Sequence, residues 1–410
     1  MDFRLDDTLE AMKLNVRNIV KNECLPLEKQ YLSTPPETYS YGGNELPGGL
    51  AEERLSFGNL PLDEWKRLEN ISKEAGIFTM HVPEEYGGGG TGALGHIVVD
   101  EEVRRSIVGL PIAEVPVMMY GSSTQEQVDR YILPCVRGEQ GYAFAQTEPQ
   151  AGSDPGGMMQ TRAIADGSDW ILDGTKMFCT GGGTADFLLV QAVTDSNKRQ
   201  HGGVTMFIVD KHMPGLSFAP IQTWIYPGKA HQYFVYLDGV RIPKANILGD
   251  IGQGFLLGQK WLVHQDRLLR GSMALGIMTR ALEMAVDWAK TRITFGKPIA
   301  ERQAIQWMLT DVYVDIMALR DMTRHTAWRA DRGEDVRVEC SMIKYCAGEW
   351  GWRSIDKIMQ IFGGLGETMD MPIPHWYHSL RHARVGGGTS EIHKFVMARG
   401  LLQGRIAWEG

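Results

Sequence analysis

At 410 residues the chain is long enough for two or three domains with a large buried core. An apolar fraction of 43 % is ordinary for a globular protein, and a net charge of −8 without a basic run argues against nucleic acid and against an anionic membrane surface as partners. No apolar run approaches the roughly 18 residues that span a bilayer, and five cysteines without CxxC spacing suit a reducing compartment and supply no metal site.

The first segment, 1–33, reads as an amphipathic helix whose mixed acids and bases match neither a secretory signal nor a transit peptide, so a cytoplasmic protein is expected. A Pro/Gly/Ser-rich stretch over 33–49 predicts an irregular loop, and 60–76 a second helix. A loop follows at 82–90, then helical periodicity over 93–107 and over 125–136, the latter ending near Pro134. From about Gly141 the texture changes to short β-branched and aromatic runs separated by Asp-Gly, Pro-Gly and Gly-Gly turns, a pattern of antiparallel strands closing into a small barrel or sandwich. The last strand and its exit loop fall at 234–250. After Gly254 the chain is helical again, over 255–295, 302–332, 336–362 and 390–402, with the short links of a bundle. The fold class is α+β: a helical domain (1–140), a middle β-domain (141–250) and a C-terminal helical bundle (251–410).

The longest helix carries a polar knot in an otherwise apolar pattern: His264, Gln265, Asp266, Arg267 and, one turn on, Arg270. Asp266 and Arg270 stand four apart and share a face. The spacing alone leaves two readings open, a buried functional site and a solvated ion pair. Several short motifs are weak when taken singly. The stretch 147–154 (TEPQAGSD) passes for a polar turn, and 292–299 (RITFGKPI) for a helix ending at Phe295 with Gly296 as its cap. IFGGLG (361–366) is a second helix stop, and GGGTSE (386–391) is a loop with Thr389 or Ser390 capping the last helix. His201, His231, His375, His378 and His382 lack ligand spacing and read as surface or packing residues. Met118 and Met119 read as core, with a place near a substrate chamber as the alternative.

The order of these motifs is more informative than any one of them. AQTEPQAGSD, DGTKMFCTGG, DGVRIPKANILG, the long helix, RITFGKPI followed by Gln303, QIFGGLG and RHARVGGGTSEI together resemble the acyl-CoA dehydrogenase family of flavoproteins over nearly the whole chain. The resemblance implies FAD between the β-domain and the bundle. Phe144, Gln146 and Thr147 match the strand along the pyrimidine side of the flavin, and Ser153 a position beside the pantetheine and the FAD phosphates. Phe178 stands where the family stacks tryptophan on the ring, and Thr180 where a hydroxyl meets N5, the hydride acceptor. Arg292, Phe295, Gln303, Gln360, Gly363 and Gly364 match contacts to the adenine half across a subunit interface, which implies a homodimer or homotetramer. Thr389 and Glu391 match contacts to the AMP moiety. The implied partners are an acyl-CoA substrate and an electron-transferring flavoprotein.

The same resemblance exposes a departure. Many members carry the α-proton base, a glutamate, immediately before the Gly-Thr of the last loop; here that position is Gly387, which keeps only a backbone N–H for the thioester carbonyl, with Gly388 beside it. A subset resembling isovaleryl-CoA enzymes supplies the glutamate from the long helix, and the matching position, just before the family arginine Arg267, is Asp266. Asp266 is therefore the candidate base, for a branched, bulky or polar acyl group. Arg270, one turn on, is a candidate partner for a polar group on that chain, and a neighbour that weakens the base. A flavin monooxygenase, a desulfinase-like lyase and a non-enzymatic binding protein are the alternatives.

Overall fold

The computed structural model describes residues 4–33, 62–223 and 231–404, so most of the 33–49 stretch lies outside the described residues. Asp6 caps the first helix by accepting from Leu9 N at 2.8 Å. That helix, α1 (Asp7–Ile19), passes through a π-turn at Val20–Cys24 into α2 (Leu25–Ser33); α3 (Leu62–Glu74) and α4 (Gly92–Val103) follow. α4 is buried along almost its whole length, acids included, because each acid has a partner on another element: Asp100 meets Ser272 at 2.6 Å, Glu101 meets Arg320 at 2.7 Å, and Glu102 meets Arg17 at 2.6 Å. The helix expected over 125–136 is broken into α5 (Gln125–Gln127), a π-turn at Val128–Ile132 and α6 (Leu133–Arg137). Pro134 does not end it. The proline sits in the first turn of α6, where its missing N–H is no loss, and Gly138 at φ 75° ends the helix instead.

The middle of the chain supplies β1 (Tyr142–Ala145), the single turn α7 (Pro155–Met158), β2 (Arg162–Asp166), β3 (Asp169–Thr180), β4 (Phe187–Val193), β5 (Val204–Asp210), β6 (Leu216–Ile221), β7 (Gln232–Ile242) and β8 (Ile247–Leu248). They hydrogen-bond in the order β6-β7-β3-β2-β4-β5-β8, with β1 also paired to β4. The pairings are antiparallel as expected except two, β1–β4 and β2–β4, which are parallel. β5 and β7 touch although they are not neighbours in this order, so the sheet curls upon itself. One apolar layer fills the curl around Leu188, Val190, Phe207 and Val235; a second, with Leu189, Met206, Met118, Met119 and Leu257, joins the outer face to the N-terminal helices. Met118 and Met119 are core residues of that second layer.

The last third contains α8 (Gly254–Trp261), α9 (Leu268–Thr291), α10 (Gln303–Asp331), α11 (Arg337–Phe362), α12 (Ile373–His382) and α13 (Ser390–Leu402). α9, α10 and α11 pack on one another around Leu275, Met278, Leu319, Ile343 and Ile355, and α4 of the first domain lies against α9. α12 has no counterpart in the periodicity reading. Nor does the long helix run to Phe295: α9 stops at Thr291, and Ile293–Thr294 and Lys297–Pro298 pair as a two-stranded hairpin (β9, β10) whose turn is Phe295-Gly296. All five cysteines are buried, and none forms a disulfide among the described residues.

Candidate active site

α8 and α9 are separated by a π-turn over Leu262–Arg267. Such a turn inserts one residue into the helix and re-aims the side chains around it, and π-turns recur at functional sites. Here it turns Asp266 and Arg267 inward, each 8 % exposed. Gln265 is held by the neighbouring domains: its Oε1 accepts from Tyr142 Oη at 3.0 Å and from Val117 N at 3.4 Å, while Trp261 Nε1 donates to Tyr142 Oη at 2.8 Å.

Asp266 Oδ1 accepts from Arg270 Nη2 at 2.8 Å, whereas Oδ2 is buried without a hydrogen-bond partner among the described residues. Burial alone pushes this carboxyl up. The charge and hydrogen bond of Arg270, with Lys344 and Arg267, outweigh burial and hold it below the ordinary carboxylate range. The carboxylate is thus enclosed with Arg270 half-buried beside it, and the fully solvated reading of the knot is set aside. Gly387, at φ +71°, faces the same carboxylate: a Cβ there would overlap Asp266 Oδ2. A side chain at 387 and a carboxylate at 266 compete for one volume, which gives the glycine a physical reason. Gly388, at φ +104°, accepts on its carbonyl from Lys344 Nζ.

Lys344 is fully buried, and burial followed by the charge of Arg270 brings its ammonium down to about 7. His382 lies within electrostatic reach of Arg270, Asp266, Lys344 and His231, and burial foremost pushes it down to about 4. His393 is fully buried against the Gly387–Gly388 backbone; burial first, then the charges of Lys344 and Arg267, bring it down to about 3 against the opposing pull of the Gly387 backbone. Arg267 Nε has no partner among the described residues. Sequence reasoning missed Lys344 and His393 and set His382 down as packing. One signal existed for Lys344: it falls on the buried stripe of α11 with Cys340, Ile343, Ala347 and Gly351, where a lysine is out of place.

The β-domain supplies a second group. Phe178 adopts φ +54° where the β3–β7 register slips between Lys176 and Cys179, and its ring is 52 % exposed. A strained backbone that holds an apolar ring in the open suits a flat partner stacked on it. At the end of β3, exposed Thr180 accepts on Oγ1 from Gln232 Nε2 at 2.8 Å, while Gln232 Oε1 is buried without a partner among the described residues. An aromatic face, an exposed hydroxyl and an orphaned amide oxygen fit the ring and polar edge of a flavin. The neighbouring positions divide. Phe144 is packed on Trp261, with ring centroids 5.1 Å apart, and the Gln146 amide is turned inward to Gln191 at 2.8 Å, so both side chains are structural. Thr147 is half-buried with its carbonyl accepting from Met177 N at 2.8 Å, and Ser153 is exposed beside Asp154, which caps α7. Beneath them Glu148 and Lys176 form a fully enclosed ion pair at 2.8 Å, and Glu148 also accepts from Gln160 N and Thr161 N at 2.6 and 3.0 Å. This brace between the two motifs was not foreseen.

A third group sits at the far end of α9. Arg292, Gln360, Gly363 and Gly364 line a cavity of about 350 Å³. Phe295, at φ +50°, is 97 % exposed on the hairpin tip, and Gln303 is exposed at the start of α10. Thr389 and Glu391 do not join this group: two residues beyond Gly387, at the Asp266 end, Thr389 caps α13 by accepting from Ile392 N at 3.3 Å, with Glu391 exposed beside it. α9 itself is 24 residues, about 36 Å at 1.5 Å per residue, and separates Arg292 from the Asp266 centre of the same chain.

A three-domain flavoprotein oxidoreductase is the class that this architecture and these surfaces define. The sequence matches the acyl-CoA dehydrogenase N-terminal domain over 50–139, the middle domain over 143–238 and the C-terminal domain over 252–402, so the chain belongs to the acyl-CoA dehydrogenase family, whose cofactor is FAD. It is 35 % identical to the 3-(aryl)acrylate reductase of Clostridium sporogenes over 86 % of this chain and 94 % of the relative. To the (R)-benzylsuccinyl-CoA dehydrogenase of Thauera aromatica it is 32 % identical, over 98 % and 97 %. The fold superposes on butyryl-CoA dehydrogenase from Megasphaera elsdenii with a TM-score of 0.82, 26 % identity, and coverage of 98 % of this chain and all (100 %) of the other. Among the described residues no helix is long and apolar enough to cross a membrane.

Proposed function

We propose that the chain is an FAD-dependent acyl-CoA dehydrogenase in which Asp266 removes the α-proton of the thioester. One observation carries this reading: a buried carboxylate with one oxygen fixed by Arg270 and the other unpartnered among the described residues, against the open Gly387. An oxygen so placed has its lone pairs available for a carbon acid, and the neighbouring Gly387 N–H is available to the thioester carbonyl as negative charge builds there. The flavin, when bound, supplies the acceptor for the β-hydride. Phe178 and Thr180 are the residues to hold its ring, and Asp266 retains the proton on the opposite side of the transferred pair. Arg270 fixes the carboxylate's direction at the expense of its basicity.

Arg292, Gln360, Gly363 and Gly364 lie too far along α9 to serve the flavin beside their own Asp266, which favours a homodimer or homotetramer with adenine sites completed by another subunit. An electron-transferring flavoprotein is the acceptor we assign. Concerning the acyl group, Arg267, Arg270 and Lys344 surround the single carboxylate Asp266. That excess of positive charge favours an acyl chain bearing a carboxylate or another polar group over a plain fatty chain. A relative named for benzylsuccinyl-CoA, the thioester of a dicarboxylic acid, supports the same direction.

The test is anaerobic. Flavin absorbance is followed while straight, branched, cyclic and dicarboxylic acyl-CoAs are added to the wild type and to Asp266→Asn. Bleaching by the polar class, lost in Asp266→Asn together with solvent exchange of the α-proton, is expected. Undiminished exchange in the variant removes Asp266 from the role. No bleaching by any thioester, with rapid reoxidation by air after chemical reduction, moves the assignment to a monooxygenase.

A further inference from the structure

We infer that Lys344 is a positioning residue that clamps the 386–388 glycine loop onto α11 and thereby sets the place of the Gly387 N–H relative to Asp266. The inference rests on the reading of Asp266 and Gly387 as the reacting centre. Three consecutive glycines, two of them with positive φ, have no backbone preference for one conformation, so the loop needs outside anchors. Its flanks have them: Val385 N and Gly386 N both bond to His382 O, at 2.7 and 3.0 Å, and Ser390 N bonds to Arg384 O at 3.0 Å. Between the flanks, the Gly388 carbonyl is held by Lys344. That bond is the one hydrogen bond that the Lys344 ammonium makes among the described residues, and it is reached by a side chain with no exposed surface. Enclosing an ammonium is costly, and a single carbonyl is a meagre return for stability alone.

The charges facing Lys344 come from every neighbouring element. Asp266 and Arg267 stand on the π-turn, Arg270 on α9, Glu349 on α11 itself, His382 on α12 and His393 on α13. Burial and Arg270 together bring its proton into the neutral range, at about 7. A charged donor grips a carbonyl about twice as strongly as a neutral one, so the clamp loosens as pH rises through that value. Stability moves the other way. The unfolded lysine keeps its proton to about pH 10, so above about 7 the folded chain binds fewer protons and gains stability. Rate and stability diverging over one pH window is a signature that a merely structural lysine would not give.

The experiment compares Lys344→Met and Lys344→Arg as flavin-loaded, full-length proteins. The readouts are kcat and KM against pH, solvent exchange of the α-proton of bound acyl-CoA, and denaturant midpoints over the same pH range. Lys344→Met is expected to lower kcat by about 10²-fold, as a misplaced group does, with KM held within about threefold. Lys344→Arg, always charged, is expected to recover most of that loss and to lack the alkaline fall in rate. Wild-type kcat in Lys344→Met, or an unchanged alkaline fall in Lys344→Arg, overturns the inference. Should Lys344→Met not fold, the alkaline fall in Lys344→Arg decides alone. Asp266→Asn in parallel separates the two failures: if it keeps exchange, the reading of the centre is wrong; if it loses exchange while both Lys344 variants behave as wild type, only the clamp is.

Discussion

Replacing Gly387 by alanine places a methyl group where Asp266 Oδ2 now lies, and the structure sets the size of the effect. Non-bonded heavy atoms settle at about 3.5 Å, so the carboxylate has to withdraw by roughly 1.5 Å. Withdrawal breaks or bends the 2.8 Å bond to Arg270. The backbone adds its own cost, because φ +71° is left-handed and disfavours an L side chain by about 1–2 kcal/mol. Misplacing a reacting group by about 1 Å lowers the rate by about 10²-fold, so Gly387→Ala is expected to lose at least that much in kcat. Two sources of destabilisation are separable by a double-mutant cycle with Asp266→Ala. Alone, Gly387→Ala bears both the backbone and the overlap costs; in the Asp266→Ala background only the backbone cost remains, and the coupling energy reports the overlap. The assay is urea unfolding of the four proteins with matched rate measurements. Additive stabilities, or a Gly387→Ala enzyme with wild-type kcat, would refute the claim that the two positions share one volume.

Arg270→Leu leaves Asp266 buried without its strongest counter-charge. Breaking such a pair costs about 3 kcal/mol, read as a lower denaturant midpoint. The ionised Asp266 contributes stability above the ordinary carboxylate range, and that contribution fades as pH falls through its lowered value. In Arg270→Leu the value rises, so the acid limb of kcat/KM is expected to move to higher pH; a stationary limb would assign that limb to another group. If Arg270 also receives a polar acyl group, the variant shows a raised KM for dicarboxylic thioesters selectively. Phe178→Ala is expected to weaken FAD binding by about fivefold, since a stacked aromatic is worth about 1 kcal/mol. Its apoprotein should be as stable as wild type, because the ring is 52 % exposed. Titration of apoprotein with FAD checks the first expectation and a thermal melt of the apoprotein the second.

Local pattern carried much of this molecule. The extents of α10, α11 and α13 follow from apolar spacing, and the Asp166-Gly167 turn joins β2 to β3 in the antiparallel register expected of such a turn. Asp266 and Arg270 were legible as a pair because i,i+4 contact is a property of one helix. What escaped depends on contacts between distant segments. The clamp joins positions 344 and 388 through a buried ammonium, and neither a lysine in a helix nor a glycine in a loop announces the other. The Glu148–Lys176 brace escaped for the same reason. The hairpin at 293–298 was hidden because Arg292, Phe295 and Gly296 also make an acceptable helix end, and only the antiparallel pairing of Ile293 and Pro298 distinguishes the two. Helix α12 lies between proline and glycine signals that read as loop punctuation.

The π-turn at Leu262–Arg267 makes the long helix a joint between two phases. α8 is locked to the β-domain: at Gly258 a Cβ would press on Phe144 and Gln191, while Leu257 packs in the layer beneath β4 and β5. α9 is locked to the bundle and to α4, where Gly276 lies so near the Glu101 carbonyl that no side chain fits. Neither half is able to rotate to suit the other, so the added residue is the part that reconciles them. Removing one residue from that stretch would restore a regular helix and turn everything beyond it by about 100° relative to α8. Asp266, Arg270 and the glycine loop, all held on the bundle side, would turn together away from the β-domain to which α8 is fixed. Chain length at this single point, as much as the identity of the residues, therefore sets how the carboxylate is turned relative to the β-domain.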